Sequence, residues 1–175
     1  MFAACGLNCG LCPRYYTEGT SRCPGCAGEG FSEVHPACGV LSCCQRKGME
    51  YCFECGEYPC EKYDGAGTSD SFVSHKNRMR DLEKAKQLGI DAYKVELNEK
   101  VKILEELLEY YDDGRRKGFY CLAVNLLDLH DIKTVMEQVA VEVDPQISAK
   151  EKAAIVVGLF QMAADEKGID LKLRK

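Results

Sequence analysis

The stretch Cys5-Gly6-Leu7-Asn8-Cys9-Gly10-Leu11-Cys12-Pro13, followed by Cys23-Pro24-Gly25-Cys26, decides how the first third of this chain can fold. Cys9/Cys12 and Cys23/Cys26 have the C-x2-C spacing, in which one tight turn aims two sulfurs at the same point. Ten residues separate the two pairs. Two such pairs supply the four thiolates of a closed tetrahedral zinc site, so the spacing predicts a metal site built from these four cysteines.

A second set of cysteines follows, made up of Cys38, Cys43, Cys44, Cys52, Cys55 and Cys60. Cys52/Cys55 is a third C-x2-C pair, and we expect it to belong to a second metal site. Two members of the group Cys38, Cys43, Cys44 and Cys60 would complete that site, and the spacing does not say which two. Cys44 and Cys121 are the best candidates for buried thiols that bind no metal.

The cysteine count restricts the compartment. The chain has 175 residues and twelve cysteines, eleven of which lie between residues 5 and 60. Such density indicates disulfides in an oxidising compartment or metal ligation in a reducing one. The first residues show neither the basic region nor the apolar segment of an export signal, so we expect a cytoplasmic protein that binds metal. No stretch approaches the roughly 18 consecutive apolar residues of a membrane span.

Cysteine spacing leaves the identity of the metal open between zinc and iron. We expect two Zn²⁺ ions, and the alternative is an iron–sulfur cluster, which cysteines also hold. Cys5-x3-Cys9-x2-Cys12 has the spacing of radical S-adenosylmethionine enzymes, but this chain lacks the length and the alternating strands of their barrel. The spacing therefore favours a zinc-binding protein, with structural metal in a binding or adaptor module. The alternative is an iron–sulfur or thiol redox protein that transfers electrons.

The composition changes near residue 65. Residues 1–66 are rich in Cys, Gly and Pro and poor in Leu, Ile and Val, so they need metal staples to fold. Residues 64–69 are typical of a short flexible joint. Residues 67–175 show helical periodicity, and helices are predicted at about 69–88, 93–112, 118–129, 131–141 and 148–166. The predicted fold is α plus irregular: a Cys-rich module at 1–66, and at 67–175 a bundle of about four or five helices.

Charge argues against a nucleic-acid partner. The chain carries a net charge of −5, and residues 1–66 contain five Lys and Arg against eight Asp and Glu. Each zinc ion held by four thiolates would add a further formal charge of −2, whereas nucleic-acid binding usually needs a basic surface. We therefore expect a protein partner or a small molecule, and no membrane.

Few other residues predict chemistry. His35 lies among the cysteines and could replace one thiolate as a ligand. The run 115–117 (Arg-Arg-Lys) lies close to Cys121 and would suit an anion, but we favour a solvated loop beside a buried thiol. The sequence contains neither a G-x-x-x-x-G-K-[ST] loop nor an H-E-x-x-H motif, so catalysis stays an open question.

Together with Lys47-Gly48, Cys52-Phe53-Glu54-Cys55 and Tyr58-Pro59-Cys60, these motifs resemble a prokaryotic cysteine-rich family known only as domain of unknown function 3795. The resemblance covers about residues 3–65, and residues 113–121 are similar to the longer members. Ten cysteines correspond to the family pattern: Cys5, Cys9, Cys12, Cys23, Cys26, Cys38, Cys43, Cys52, Cys55 and Cys60. Ten exceeds the eight ligands of two four-thiolate sites, so two thiols stay free or one site has unusual nuclearity. The resemblance implies metal binding and a bacterial or archaeal source, but no activity.

Overall fold

Helices account for the regular structure of residues 1–64 and 68–175, which are the residues that this computed structural model describes. Seven α-helices and no β-strand occur among them: α1 at Phe31–Val34, α2 at Gly39–Lys47, α3 at Arg78–Leu88, α4 at Ile90–Tyr110, α5 at Lys117–Leu126, α6 at Leu129–Glu142 and α7 at Ala149–Glu166. This confirms the predicted Cys-rich segment followed by five helices. None of the described helices is long and apolar enough to cross a bilayer.

The chain packs as two compact units. The first unit contains residues 1–97 and 173–175, and the second contains residues 98–172. The predicted joint at 64–69 falls partly on residues 65–67, which lie outside the described part of the chain. The domain boundary proposed between residues 66 and 67 lies there as well, and it stays a prediction.

In the first unit, the Cys5–Cys9 loop lies directly against the start of α3. Gly6 has a φ of +90°, a left-handed conformation that glycine adopts without steric cost. A Cβ atom at this position would lie 2.5 Å from the carbonyl oxygen of Arg78 and 2.5 Å from Cγ of Leu82. Leu82 is completely buried. The loop and the helix can therefore touch only because residue 6 has no side chain.

A buried polar network holds the same loop to α3 and to the beginning of α4. Asn8 Nδ2 donates a hydrogen bond of 2.8 Å to Asp81 Oδ2, and the Tyr93 hydroxyl donates one of 3.1 Å to Asn8 Oδ1. All three side chains are at least nine-tenths buried. Because buried polar groups are costly unless they are paired, this network fixes how the loop is oriented on the helices.

The second unit has an apolar core and well-defined helix ends. Its completely buried side chains include Val124, Leu127, Ile132, Val156 and Phe160.

Two polar contacts define helix ends in this unit. Ser148 and Glu151 form a capping box at the start of α7, as expected for a helix that begins beside Ser148. Lys100 Nζ donates a hydrogen bond of 2.6 Å to the carbonyl oxygen of Leu127, which follows α5. This places a positive charge where the helix dipole is negative.

The structure corrects two predicted helix starts. The helix expected from residue 69 or 70 begins at Arg78, because Asp70 does not cap a helix. Its carboxylate instead accepts hydrogen bonds of 2.8 Å from the Arg174 backbone, 2.8 Å from Arg174 Nη2 and 2.7 Å from the His75 backbone. The helix expected from Asp131 begins two residues earlier, at Leu129, after the extended residue Asp128.

Replacing Gly6 tests the close approach of the loop to α3. We expect Gly6→Ala to lower the free energy of unfolding by about 3 kcal/mol, since a left-handed alanine costs about 1–2 kcal/mol and overpacking about 1–3 kcal/mol. Gly48→Ala is the matched control, because Gly48 also has a positive φ but has no atom within 4 Å of the Cβ position. Gly48→Ala should lower the free energy of unfolding only by the cost of placing alanine in a left-handed conformation. Equal losses in urea unfolding would show that the contact at Gly6 is unimportant.

Replacing Asp70 tests how the chain terminus is held. Burial opposes ionisation of Asp70, but the bonds from Arg174 and His75 outweigh it and hold the pKa well below the usual 3.8. A carboxyl group whose pKa is lowered on folding stabilises the folded state at pH values above the pKa of the unfolded state. This contribution is lost as the pH falls through the pKa of the folded state. We expect Asp70→Asn to cost about 1–3 kcal/mol at pH 7. The difference from wild type should shrink below pH 3.8; a difference that is the same at pH 7 and pH 3 would contradict this.

Candidate metal centre

Six cysteines line one cavity of about 400 Å³ in the first unit. We call them the first thiol group, and they are Cys5, Cys9, Cys12, Cys23, Cys26 and Cys38. Leu7, Phe31 and Val73 line the same cavity and make its walls largely apolar. The four cysteines that the C-x2-C spacing assigned to one site therefore lie around one space, and two further thiols lie beside them.

Five cysteines line a second cavity of about 380 Å³. This second thiol group consists of Cys43, Cys44, Cys52, Cys55 and Cys60. The first three of these come from α2 and from the 3-10 turn Cys52–Glu54. The sequence left the partners of Cys52 and Cys55 open among four cysteines, and the structure brings three of those four to this cavity. Cys38 lies with the first thiol group instead.

The sulfurs are not arranged around a common point. In the part of the chain that the structure describes, no set of three or more Cys, His, Asp or Glu side chains has a metal-coordinating arrangement. The assignment of the ten predicted cysteines to metal sites therefore stays a prediction, and the donor chemistry around the two cavities is the observation that bears on it.

Backbone amides donate hydrogen bonds to the sulfurs of the first thiol group. Cys9 accepts one from the amide of Cys26, and Cys12 accepts from the amides of Arg14 and Tyr15. Hydrogen bonds to a sulfur favour its ionised form, and such second-shell donors are a regular feature of thiolate metal sites. The turns at these cysteines thus supply N–H donors of the kind that stabilise a metal-bound thiolate.

Burial has the opposite effect on these thiols. It raises the pKa of Cys5 to about 11 and that of Cys9 to about 12, because the apolar surroundings disfavour a charged sulfur. Without a metal these two thiols are neutral at pH 7. A metal ion would have to displace their protons, and it would then supply the positive charge that makes buried thiolates tolerable. The donor set fits a thiophilic ion such as Zn²⁺ or an iron–sulfur cluster.

The second thiol group differs in its charges. Lys47 Nζ lies 3.2 Å from Cys55 Sγ and 2.8 Å from Glu57 Oε2. The backbone amide of Glu57 and the Lys47 ammonium lower the pKa of the half-buried Cys55. Cys44 is buried against Cys52, and burial raises its pKa to about 12. The second cavity is therefore lined by one thiol whose ionisation is favoured, Cys55, and by one whose ionisation is disfavoured, Cys44.

His35 lines the same cavity as the first thiol group. Its ring stacks on Phe31 with centroids 4.5 Å apart, and Nδ1 lies 2.8 Å from the carbonyl oxygen of Pro36. Since a carbonyl only accepts, Nδ1 is the donor in this contact, and Nε2 is the ring nitrogen that would face a ligand. This geometry is compatible with the prediction that His35 could replace a thiolate.

The run 115–117 follows a turn that acidic side chains organise. Asp112 Oδ1 accepts hydrogen bonds from the amides of Gly114 and Arg116, so the acidic side chain organises the turn itself. Arg116 Nε lies 3.6 Å from Asp113 Oδ2. Cys121 is buried within α5, as expected for a structural thiol. These positions agree with the solvated loop that the sequence favoured.

Residues 1–65 match the family model described as Protein of unknown function (DUF3795). The match confirms the resemblance seen in the cysteine motifs, and it includes every member of both thiol groups. No curated protein and no solved structure matches the chain. The DUF3795 region therefore carries the site, while its description supplies no activity.

Sequence reasoning missed the buried polar side chains behind the DUF3795 region. Arg78, Asp81 and Asn8 are each at least nine-tenths buried. Arg78 and Asp81 lie three residues apart in a charged helix, which is the usual pattern of an exposed face. No local signal distinguishes them, because the contacts that bury them are with residues outside the helix: Asp81 binds Asn8, 73 positions away, and Arg78 stacks on Tyr63.

Metal content of paired variants tests the two groups. We expect Cys9→Ser/Cys38→Ser to lose no more metal than Cys9→Ser alone, since both cysteines would serve one site. Cys9→Ser/Cys55→Ser should lose metal from two sites. Cys121→Ser is the control and should retain the wild-type content in elemental analysis. If Cys38→Ser/Cys55→Ser loses no more metal than Cys55→Ser alone, these two cysteines serve one site and the grouping by cavity is wrong.

Proposed function

We propose that this protein is a zinc-binding protein in which two thiolate-held Zn²⁺ ions staple a Cys-rich module that binds a partner. The observation that carries the proposal is the division of eleven cysteines between two cavities, with at least four thiols at each. Four thiolates close the coordination shell of Zn²⁺ and leave no position for a reacting water, so the metal would be structural.

The composition of residues 1–64 supports a stapling role. One apolar cluster of this region has small side chains as its buried members, namely Ala3, Ala4, Cys5, Val40, Cys44 and Cys52. Small side chains each remove little apolar surface from water, at about 25 cal/mol per Å². Metal binding would supply the missing folding free energy, as it does in other small Cys-rich modules.

The charge supports a partner other than nucleic acid. Residues 1–66 have three more acidic than basic side chains, because eight Asp and Glu stand against five Lys and Arg. Two closed zinc sites would make this region more negative still. We propose a cytoplasmic protein of prokaryotic origin that binds a protein or a small molecule.

An iron–sulfur or thiol redox protein is the second candidate. The numbers of thiols favour it, since six and five cysteines exceed the four that one zinc ion takes. Hydrogen bonds from backbone amides to sulfur, present at Cys9 and Cys12, also tune the potential of iron–sulfur clusters. Elemental analysis and a visible spectrum of anaerobically purified protein decide between the two. Two zinc ions without colour support the first, and iron with inorganic sulfide supports the second.

Removing the metal tests whether it holds the module together. We expect chelation to make residues 1–64 sensitive to protease while the far-UV signal of the helices is largely retained. The helices of residues 98–172 have their own apolar core, so they need no metal. Unchanged protease protection of the module after verified metal removal would contradict a structural role.

A further inference from the structure

Arg78, the first residue of α3, is a buried cation with unused hydrogen-bond donors. Only 7% of the residue is exposed, and its Nε and Nη2 atoms are buried without a hydrogen-bond partner in the described structure. Leaving a charged group buried and unpaired is strongly unfavourable. Most buried polar groups in proteins are paired, so these two donors require an explanation.

The contact that Arg78 does make leaves both donors unused. Its guanidinium carbon lies 4.6 Å from the centre of the Tyr63 ring. A cation is attracted to an aromatic face, but this contact satisfies no N–H group in the plane of the guanidinium. The planar fork of Arg78 therefore remains available to an acceptor that the described residues do not supply.

The aromatic ring that Arg78 contacts lies beside both thiol groups. The Tyr63 hydroxyl is 3.5 Å from the carbonyl oxygen of Cys5, and it also hydrogen-bonds the side chain of Cys52. Cys5 belongs to the first thiol group and Cys52 to the second. Burial raises the pKa of Cys5, and the charge of Arg78 is one of the effects that lower it. The Arg78 cation therefore acts on Cys5 directly, and Tyr63 connects it to Cys52.

Metal loading would create the negative charge that Arg78 lacks as a partner. Thiols with an ordinary pKa near 8.5 are neutral at pH 7, whereas a Zn²⁺ ion with four thiolates carries a formal charge of −2. A buried lysine could lose its proton in such a place, but arginine keeps its charge. A permanent cation with two free donors suits a site whose negative charge appears only when metal binds.

We infer that Arg78 is the second-shell counter-charge of the thiolate metal sites, and that it donates hydrogen bonds to the sulfurs at Cys5 and Cys52. This inference rests on the proposed metal binding. It assigns to the helical part of the first unit a role in holding the metal, although α3 contributes no ligand. It also accounts for an arginine at a helix position that is buried on every side.

Zinc affinity of the full chain tests the inference. We expect Arg78→Met to weaken Zn²⁺ binding about 10–100-fold in competition with a chromophoric chelator, which is the usual effect of losing a second-shell partner. Arg78→Lys keeps the charge but not the fork, and it should fall between Arg78→Met and wild type. Arg80→Met is the matched control, because Arg80 is half-exposed on the same helix, and it should stay within about threefold of wild type.

A measurement on the unmodified protein covers the case in which Arg78→Met does not fold. In protein loaded with ¹¹³Cd²⁺, the side-chain N–H of Arg78 should show scalar coupling to the metal through an N–H···S hydrogen bond. Its exchange with solvent should also slow on loading. A purely structural arginine would show neither change.

The outcomes separate the two proposals. Wild-type protein that takes up neither zinc nor iron would overturn both of them. Wild-type protein that binds metal, with Arg78→Met and Arg78→Lys within threefold of it and no coupling to ¹¹³Cd²⁺, would overturn only the role of Arg78.

Discussion

The contact between the Cys5–Cys9 loop and the first turns of α3 is the constraint on which the first unit depends. It requires a residue without a side chain at position 6, since the Arg78 carbonyl oxygen and Leu82 leave no room for a Cβ. The same contact brings Asn8 within 2.8 Å of Asp81. The cysteines of this loop therefore lie on a segment that packs directly against α3.

Charge connects this packing to the chemistry of the thiols. Burial raises the pKa of Cys5 and Cys9 and so disfavours their ionised forms. Hydrogen bonds from backbone amides have the opposite effect and would stabilise these sulfurs as thiolates. Arg78 adds a buried positive charge over the ring of Tyr63, whose hydroxyl lies beside Cys5 and Cys52. A site of this kind is poised for a positively charged ligand that replaces protons, and thiophilic metal ions are the natural candidates.

The two cavities both have more than four thiols, and they differ in the groups that surround those thiols. The first group has six cysteines, backbone amides that donate to two of the sulfurs, and a histidine on the same cavity wall. The second has five, with an ammonium group 3.2 Å from one sulfur. A closed zinc site uses four ligands, so each group has thiols to spare for exchange, for a larger cluster or for packing. The thiols beyond four in each group are therefore the reason why a redox protein is an alternative to a zinc-stapled binding module.

The sequence by itself determined the features that depend on neighbouring residues. These are the C-x2-C pairs that bring Cys9, Cys12, Cys23 and Cys26 to one cavity, the apolar stripes of the five later helices, and the cap at Ser148. Only the tertiary structure decided which remaining cysteines join which group, that Arg78 is buried, and that Asp70 binds Arg174, 104 residues away, instead of starting a helix. The reason is physical: spacing and periodicity describe one turn or one helix, whereas burial and long-range pairing arise only when distant segments pack together.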